Sequence, residues 1–378
     1  MLKNNQTILP PQTIGIIGGG QLGRMMAIAA RYMGYKIAVL DPTPNCPTAQ
    51  VADKQIIAAY DDISAIEELI EISDIVTYEF ENVDLKAASK IEEAGKLPQG
   101  AYALEVTQNR EKEKMLLKEL NLPVPDFFIV TSEVECQEAL QKITYPAVIK
   151  TCQGGYDGKG QLKLYSEADE DNALNFVRKH EHCIIEEWVS FDKEISVVFT
   201  RGKFEEITFF PVPENEHKDH ILYQSIAPAE ITGNVKKQAL KAAEMIAEEM
   251  NIVGTFAIEM FVAGENIYVN EMAPRPHNSG HYTIEACNVS QFMQHIRAIC
   301  GLPLKKVELL QPAIMVNVLG GAVENVLHAT TQHPDGFVHL YGKADIKPMR
   351  KMGHVTFIAE TIDEAKQQVT QFQEDFEK

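Results

Sequence analysis

Apolar stretches of four or five residues alternate with a longer helical periodicity through the first hundred positions. Thr13 to Ile17, Lys36 to Leu40, Lys54 to Ile57 and Ile75 to Tyr78 read as strands, with a helix around Leu22 to Met33. That alternation predicts a parallel α/β unit. A helix from about Arg110 to Leu120 stops before Leu122-Pro123-Val124-Pro125, because proline has no N–H to continue it, so a second region starts near residue 106. From Phe127 the pattern is mixed. Ala147 to Lys150 and Gln161 to Tyr165 form a hairpin around a glycine-rich loop, and a long helix covers about Val235 to Met250. Phe256 to Val262 and Asn266 to Glu271 form a second hairpin about Gly264. The last segment, from about Leu304, ends in an amphipathic helix over Thr361 to Phe376.

A chain of 378 residues is long enough for two or three domains sharing a cleft. With 45% hydrophobic and 24% charged residues, it has the composition of a globular protein rather than a disordered one. The net charge of −19 speaks against a nucleic-acid partner, since polyanion binding needs a basic face. MLKNNQTILPPQ lacks the apolar core of a signal peptide, and no stretch approaches the ~18 apolar residues of a membrane helix, so a cytoplasmic protein is expected. The six cysteines are scattered without a C-x-x-C pair, which argues against a zinc site or a disulfide framework.

Three places carry candidate chemistry. Gly18-Gly19-Gly20-Gln21-Leu22-Gly23 satisfies G-x-G-x-x-G between a strand and a helix, and Asp41 ends the next strand. Such a turn attracts a phosphate to the helix N-terminus, which leaves a nicotinamide dehydrogenase open as a reading. Gln153 to Gly160 packs four glycines between two strands, with Lys150 at the end of the first. That arrangement suits a polyphosphate cradle or a plain flexible turn, and it is not a Walker loop. If the second hairpin turns at Gly264-Glu265-Asn266, Glu259 faces Glu271 across the sheet. Two like charges placed so destabilise unless a cation lies between them, and hard oxygens suit Mg²⁺. A shifted register would put the two on opposite faces. The segment Ala273 to His281 adds Arg275, able to hold an oxyanion bidentately, and His277, able to exchange a proton near neutral pH. Asn278 and His281 read equally well as structural loop residues.

Taken together, VIKTCQGGYDGKGQ, EEWVSFDKE, FAIEMFV and NEMAPRPHNSGH resemble the ATP-grasp superfamily. GGGQLGRM, TYEFEN and YGKADIKPMRKMGHV narrow the resemblance to the 5-(carboxyamino)imidazole ribonucleotide synthases of purine biosynthesis, over nearly the whole chain. The resemblance implies a mixed α/β and α+β architecture. A Rossmann-like N-terminal domain would cover 1–105, a two-part ATP-grasp domain 106–303 and a small C-terminal domain 304–378.

By the same resemblance, ATP contacts fall on Arg110, Lys150, the loop Gly155, Tyr156, Asp157, Gly158, Lys159, Gly160 and Gln161, on Glu186, Glu187, Trp188, Val189, Glu194 and His217, and on Asn270 and Glu271. Metal carboxylates fall on Glu259 and Glu271. Tyr156, Asp157, Lys159, Arg275 and His277 would surround the reacting bicarbonate and amine. Gly20, Gln21, Leu22, Glu79 and Asn82 would contact the ribonucleotide, and Lys343 and Arg350 its 5′-phosphate. The implied reaction joins bicarbonate to the amine of 5-aminoimidazole ribonucleotide through carboxyphosphate, with ATP and Mg²⁺, in a homodimer. The glycine-rich loop would close over the intermediate. Rival readings are a formate-using glycinamide ribonucleotide transformylase, which the RKMGHV run speaks against, a dehydrogenase, and a nonenzymatic nucleotide-binding subunit.

Overall fold

A computed structural model describes residues 7–154 and 160–376. The chain starts with a four-stranded parallel sheet, in the order Lys54–Ile56, Lys36–Leu40, Thr13–Ile17, Ile75–Tyr78. Apart from the edge strand Lys54–Ile56, its strands are mostly apolar because both faces are covered. Ile14 and Ile16 pack toward the helices Gln21–Tyr32 and Gln291–Ile299, while Ile17, Ala38 and Leu40 pack toward Ile63–Ile72 and Leu85–Glu93. The helix Gln291–Ile299 comes from a distant part of the chain, so this core already ties the N-terminal unit to the rest of the molecule.

A four-stranded antiparallel sheet comes next, in the order Phe127–Val130, Cys183–Glu187, Ala147–Thr151, Gln161–Leu164. Helices Glu133–Leu140 and Glu170–His180 bury one of its faces through Cys136, Leu140, Leu174 and Val177. Because side chains alternate along a strand, Lys150 and Glu186 are left for the other face.

Nine strands of the described residues form the third sheet. Along it run Asn266–Ala273, Gly254–Ala263, Lys193–Arg201, Glu214–Lys218, Ile221–Ala227, Ala313–Leu319, Lys351–Ile358 and Phe337–Leu340, with Ile207–Phe209 beside Lys193–Arg201. The helix Gly233–Met250 buries its apolar stripe against the strands at one end, and Val323–Thr330 and Ile362–Phe376 do so at the other. The C-terminal segment therefore adds strands to the large sheet, through Ile221–Ala227 and Ala313–Leu319, instead of building a sheet of its own. Its loop then returns to the N-terminal unit. Tyr341 is buried in the core shared with Met25 and Phe292, and Gln50 Nε2 donates to Gly342 O at 2.8 Å.

All six cysteines are buried, unpaired thiols. Among the described residues no helix is long and apolar enough to cross a membrane.

His295 is a buried polar tether between the units: its Nδ1 accepts from Thr255 N at 3.0 Å and its Nε2 meets Thr77 Oγ1 at 2.9 Å. Burial holds this imidazole neutral, with its pKa pushed down to about 3. A depressed folded-state pKa means the unfolded chain binds the proton first, so the contribution is intact above pH ~6.5 and is lost as pH falls toward the folded value. His295→Gln removes this titration. The stability advantage of the parent over the variant therefore shrinks by up to ~1.4 kcal/mol per pH unit below ~6.5, measurable by urea unfolding at a few pH values.

Candidate active site

The smaller sheet supplies a buried cation–anion arrangement. Val148 pairs with Glu186 and Lys150 with Ile184, which sets Lys150 and Glu186 side by side on the open face. One Glu186 oxygen meets Lys150 and the other lies 3.2 Å from Lys114 Nζ. Burial alone would lift this carboxyl, but the two ammonium groups outweigh it and hold the pKa at about 2. Arg110 is anchored beside them, with Nη1 donating to Thr151 O at 2.9 Å and its own N–H to Cys152 O. Trp188 follows Glu187, and Lys163 Nζ lies 3.7 Å from its ring centroid.

The larger sheet brings Glu259 opposite Glu271, as the sequence predicts, but by another route. The turn has two residues, not three: Ala263 pairs with Asn266, and Gly264 takes φ +58°, the sign a tight hairpin needs. That register alone would set Glu259 against Asn270 and send Glu271 to the other face. A β-bulge at Asn270 inserts one residue and restores the apposition. Burial, then Glu271, raises the Glu259 pKa to about 7. Among the described residues no group of three or more His, Cys, Asp or Glu side chains is placed to hold a metal. The protein thus offers two hard carboxylates, a donor set that fits Mg²⁺ completed by phosphate oxygens and water. On the same sheet Glu194 Oε2 lies 3.0 Å from His217 Nδ1. Burial works against the charged imidazole, and Glu194 more than compensates, raising its pKa.

After the bulged strand, Arg275 reaches across to Glu81, with Nε and Nη2 each 2.6 Å from Oε2. Burial would raise the Glu81 carboxyl, yet Arg275 holds it below the usual range. His277 points Nε2 at Glu259, 3.3 Å away, while its Nδ1 meets Ser279 Oγ at 2.8 Å. Ser279 continues through Ser196 and Asn215 to Ser225, a buried chain of hydroxyl and amide hydrogen bonds that fixes the ring. Burial, followed by Arg275 and Lys351, keeps His277 neutral well below its ordinary pKa. Asn278 exchanges amide hydrogen bonds with Asn317 at 3.0 and 2.8 Å, and His281 is fully buried against Phe292 and His354. Both are therefore engaged structurally.

The glycine turn differs from a dinucleotide site. Glu79 accepts from Gly20 N and from Gly23 N, and Asp41 accepts from Gly19 N at 2.7 Å. A Cβ on Gly20 would sit 2.6 Å from Glu79 Oε1, so the glycine admits a carboxylate of this chain where a phosphate would lie. Asp41 also accepts from Thr43 N and Tyr60 Oη, so its carboxylate is engaged within the fold. The dehydrogenase reading fails on these contacts.

These groups converge on one cavity of about 970 Å³. Its wall includes Gln21, Leu22, Glu79 and Asn82 from the N-terminal unit, and Arg110, Lys150, Gln161, Glu186, Glu187, Trp188 and Val189 around the smaller sheet. Glu194, His217, Glu259, Asn270, Glu271, Arg275 and His277 complete it from the larger sheet. Gly20 and Gly160 stand outside the wall, and Gly155, Tyr156, Asp157, Gly158 and Lys159 lie outside the described residues. Lys343 and Arg350 are also outside it; Lys343 Nζ donates to Lys351 O at 2.6 Å, and Lys351 does line the cavity. Reading the sequence missed Glu81, Glu113, Lys114 and Lys351. A signal existed for two of them, since Glu113 and Lys114 follow Arg110 by three and four positions and so share its helix face.

The geometry agrees with comparisons to known proteins. The ribonucleotide synthetase preATP-grasp domain matches residues 11–108, the ATP-grasp domain 115–292, and the phosphoribosylaminoimidazole carboxylase C-terminal domain 313–368. The N5-carboxyaminoimidazole ribonucleotide synthase of Bacillus subtilis is 48% identical over 97% of both chains. The Staphylococcus aureus N5-carboxyaminoimidazole synthetase complexed with ADP superposes with a TM-score of 0.93 at 40% identity, over 98% of this chain and 99% of that one. The Aspergillus clavatus enzyme in complex with ADP and 5-aminoimidazole ribonucleotide does so with a TM-score of 0.90 at 30% identity, over 97% and 98%. With a shared architecture from end to end and this level of identity, the chain belongs to the N5-carboxyaminoimidazole ribonucleotide synthase family of ATP-grasp enzymes.

Proposed function

We propose that the chain joins bicarbonate to the exocyclic amine of 5-aminoimidazole ribonucleotide, converting ATP to ADP and phosphate, as a step of purine biosynthesis. The observation that carries this is that one cavity brings the carboxylate pair, the Lys150–Glu186 edge and Arg275 together with the N-terminal Gln21, Leu22 and Asn82. A nucleotide, an anion and a ribonucleotide can meet there without leaving the cleft. In the reaction a bicarbonate oxygen bonds to the γ-phosphorus as its bond to ADP breaks. The amine then bonds to the carboxyl carbon, phosphate leaves, and the amine proton passes to a base.

Lys150 and Arg110 neutralise nucleotide charge, and the linker from Glu186 to Val189 borders the adenine and ribose. Arg275, held in place by Glu81, brings the positive charge that attracts bicarbonate, and His277, kept neutral by burial and accepting from Ser279 N at Nδ1, turns its Nε2 toward Glu259 beside the reacting groups. Mg²⁺, when bound by Glu259 and Glu271, supplies charge neutralisation at the terminal phosphates. Tyr156, Asp157 and Lys159 complete the anion site in this reading, and the ribonucleotide lies between Glu79, Asn82 and the C-terminal basic loop. Domain limits near residues 105 and 303, a homodimer and a cytoplasmic location belong to the same proposal.

ADP release from Mg-ATP, measured in the complete mixture and with bicarbonate or the ribonucleotide omitted, tests the reading. Dependence on both supports it. Stimulation by glycinamide ribonucleotide with formate instead would keep the fold and reassign the reaction. The Lys343→Ala variant is expected to raise the ribonucleotide KM about ten- to a hundredfold with kcat nearly unchanged, the loss of one hydrogen bond to a charged phosphate. A fall in kcat at constant KM would move Lys343 to the chemical step.

A further inference from the structure

The bulge that brings Glu271 opposite Glu259 has a cost. Asn266–Ala273 is the edge strand of the large sheet, and an inserted residue leaves backbone groups without ladder partners. The helix Arg110–Glu119 lies along that open edge and satisfies them. Glu113 Oε1 accepts from Met272 N at 2.7 Å, immediately after Glu271. Lys114 Nζ donates to Asn270 O at 3.0 Å and Val269 O at 3.3 Å, on the other side of it. Its remaining contact is Glu186 Oε1, 3.2 Å away in the smaller sheet, whose other oxygen is held by Lys150. Two of the ammonium's donors go to these carbonyls and its charge faces the Glu186 carboxylate, on a side chain only 2% exposed. A buried lysine satisfied in this way is costly to place and is not needed to fill a core, where an apolar side chain would serve.

We propose that Glu113 and Lys114 are positioning residues for the nucleotide–metal end of the site: they grip the backbone on both sides of Glu271 and tie it to the Lys150–Glu186 pair across the cleft. The proposal rests on the assignment of Glu259 and Glu271 as metal carboxylates. It adds that the spacing between the metal and the nucleotide-binding edge is set by one dipeptide on the helix that borders both sheets. Neither residue needs to touch substrate to do this.

The test is the linkage between Mg²⁺ and ADP, read by calorimetric ADP titration with Mg²⁺ and with a chelator, alongside thermal unfolding of each variant. Lys114→Met is expected to lose about tenfold of the Mg²⁺-dependent gain in ADP affinity, the scale on which groups behind a metal's ligands act. Glu113→Leu should do the same, whereas Glu113→Gln, whose carbonyl still accepts from Met272 N, should restore the parent value. The KM for the ribonucleotide should stay within about twofold in all three. Unchanged Mg²⁺ linkage in folded Lys114→Met and Glu113→Leu would overturn the proposal, and so would unfolding of both, which would mark a role in stability alone. Because ADP and Mg²⁺ binding need no carboxylation, absent ribonucleotide-dependent turnover in the parent would sink the proposed reaction while leaving this measurement intact. No Mg²⁺ effect on ADP affinity in the parent would remove the metal assignment and this inference with it.

Discussion

Glu271→Gln is expected to lower Mg²⁺-dependent ADP formation by about 10²–10³-fold at saturating substrates, the scale on which single electrostatic contacts to a developing transition-state charge act. The amide keeps the shape of the carboxylate, so the bulge at Asn270 and the contacts of Glu113 and Lys114 to neighbouring backbone groups should survive. What changes is charge. Glu271 is one of the causes that lift Glu259 toward a pKa of about 7, after burial, so its neutralisation relieves a repulsion within the folded state. The variant should therefore be as stable as the parent or slightly more so, while its turnover collapses. That divergence between activity and stability is the signature of a group held in place for a ligand. Retention of normal, Mg²⁺-dependent turnover would show that the carboxylate pair is not the metal site.

The same pair illustrates what local sequence can and cannot disclose. Strands at Thr13–Ile17, Lys36–Leu40 and Ile75–Tyr78 were legible to the residue, because their period and their flanking turns are local properties. The face-to-face arrangement of Glu259 and Glu271 was predicted from a three-residue turn, whereas the chain uses a two-residue turn and a bulge whose effects on register cancel. Bulges depend on what covers the strand edge, here a helix far earlier in the chain, with 156 positions from Lys114 to Asn270, which no local pattern carries. The glycine turn misled for a similar reason. Its strand, turn and helix form as expected, but the anion at the helix start is Glu79, fifty-nine positions away from Gly20. In the C-terminal segment the helix over Ile362–Phe376 was legible from its periodicity, but the pairing that adds its strands to the large sheet is a tertiary choice.

Arg275→Ala should reduce kcat by about 10²–10³-fold and change the ATP KM by less than about twofold, because in the proposed reaction its charge serves the anion that reacts and not the nucleotide's base or ribose. The structure adds a second consequence. Arg275 is the cation that keeps Glu81 ionised against the pull of burial. Without it, the Glu81 carboxylate either repels bicarbonate or takes up a proton, and the two outcomes differ in their dependence on pH. In the variant, the Glu81 pKa rises from its depressed value, so residual activity that climbs as pH falls toward that new value would identify repulsion as the main loss. Glu81→Gln in the Arg275→Ala background removes the repulsion directly and should recover part of the rate, while Glu81→Gln alone should cost much less than losing the arginine. Arg275→Lys retains charge but not the planar fork, and is expected to fall between parent and alanine. If instead Arg275→Ala raises the ATP KM at constant kcat, the guanidinium serves nucleotide binding, and the anion site must be sought at Lys351, a further cation near His277 on the cavity wall.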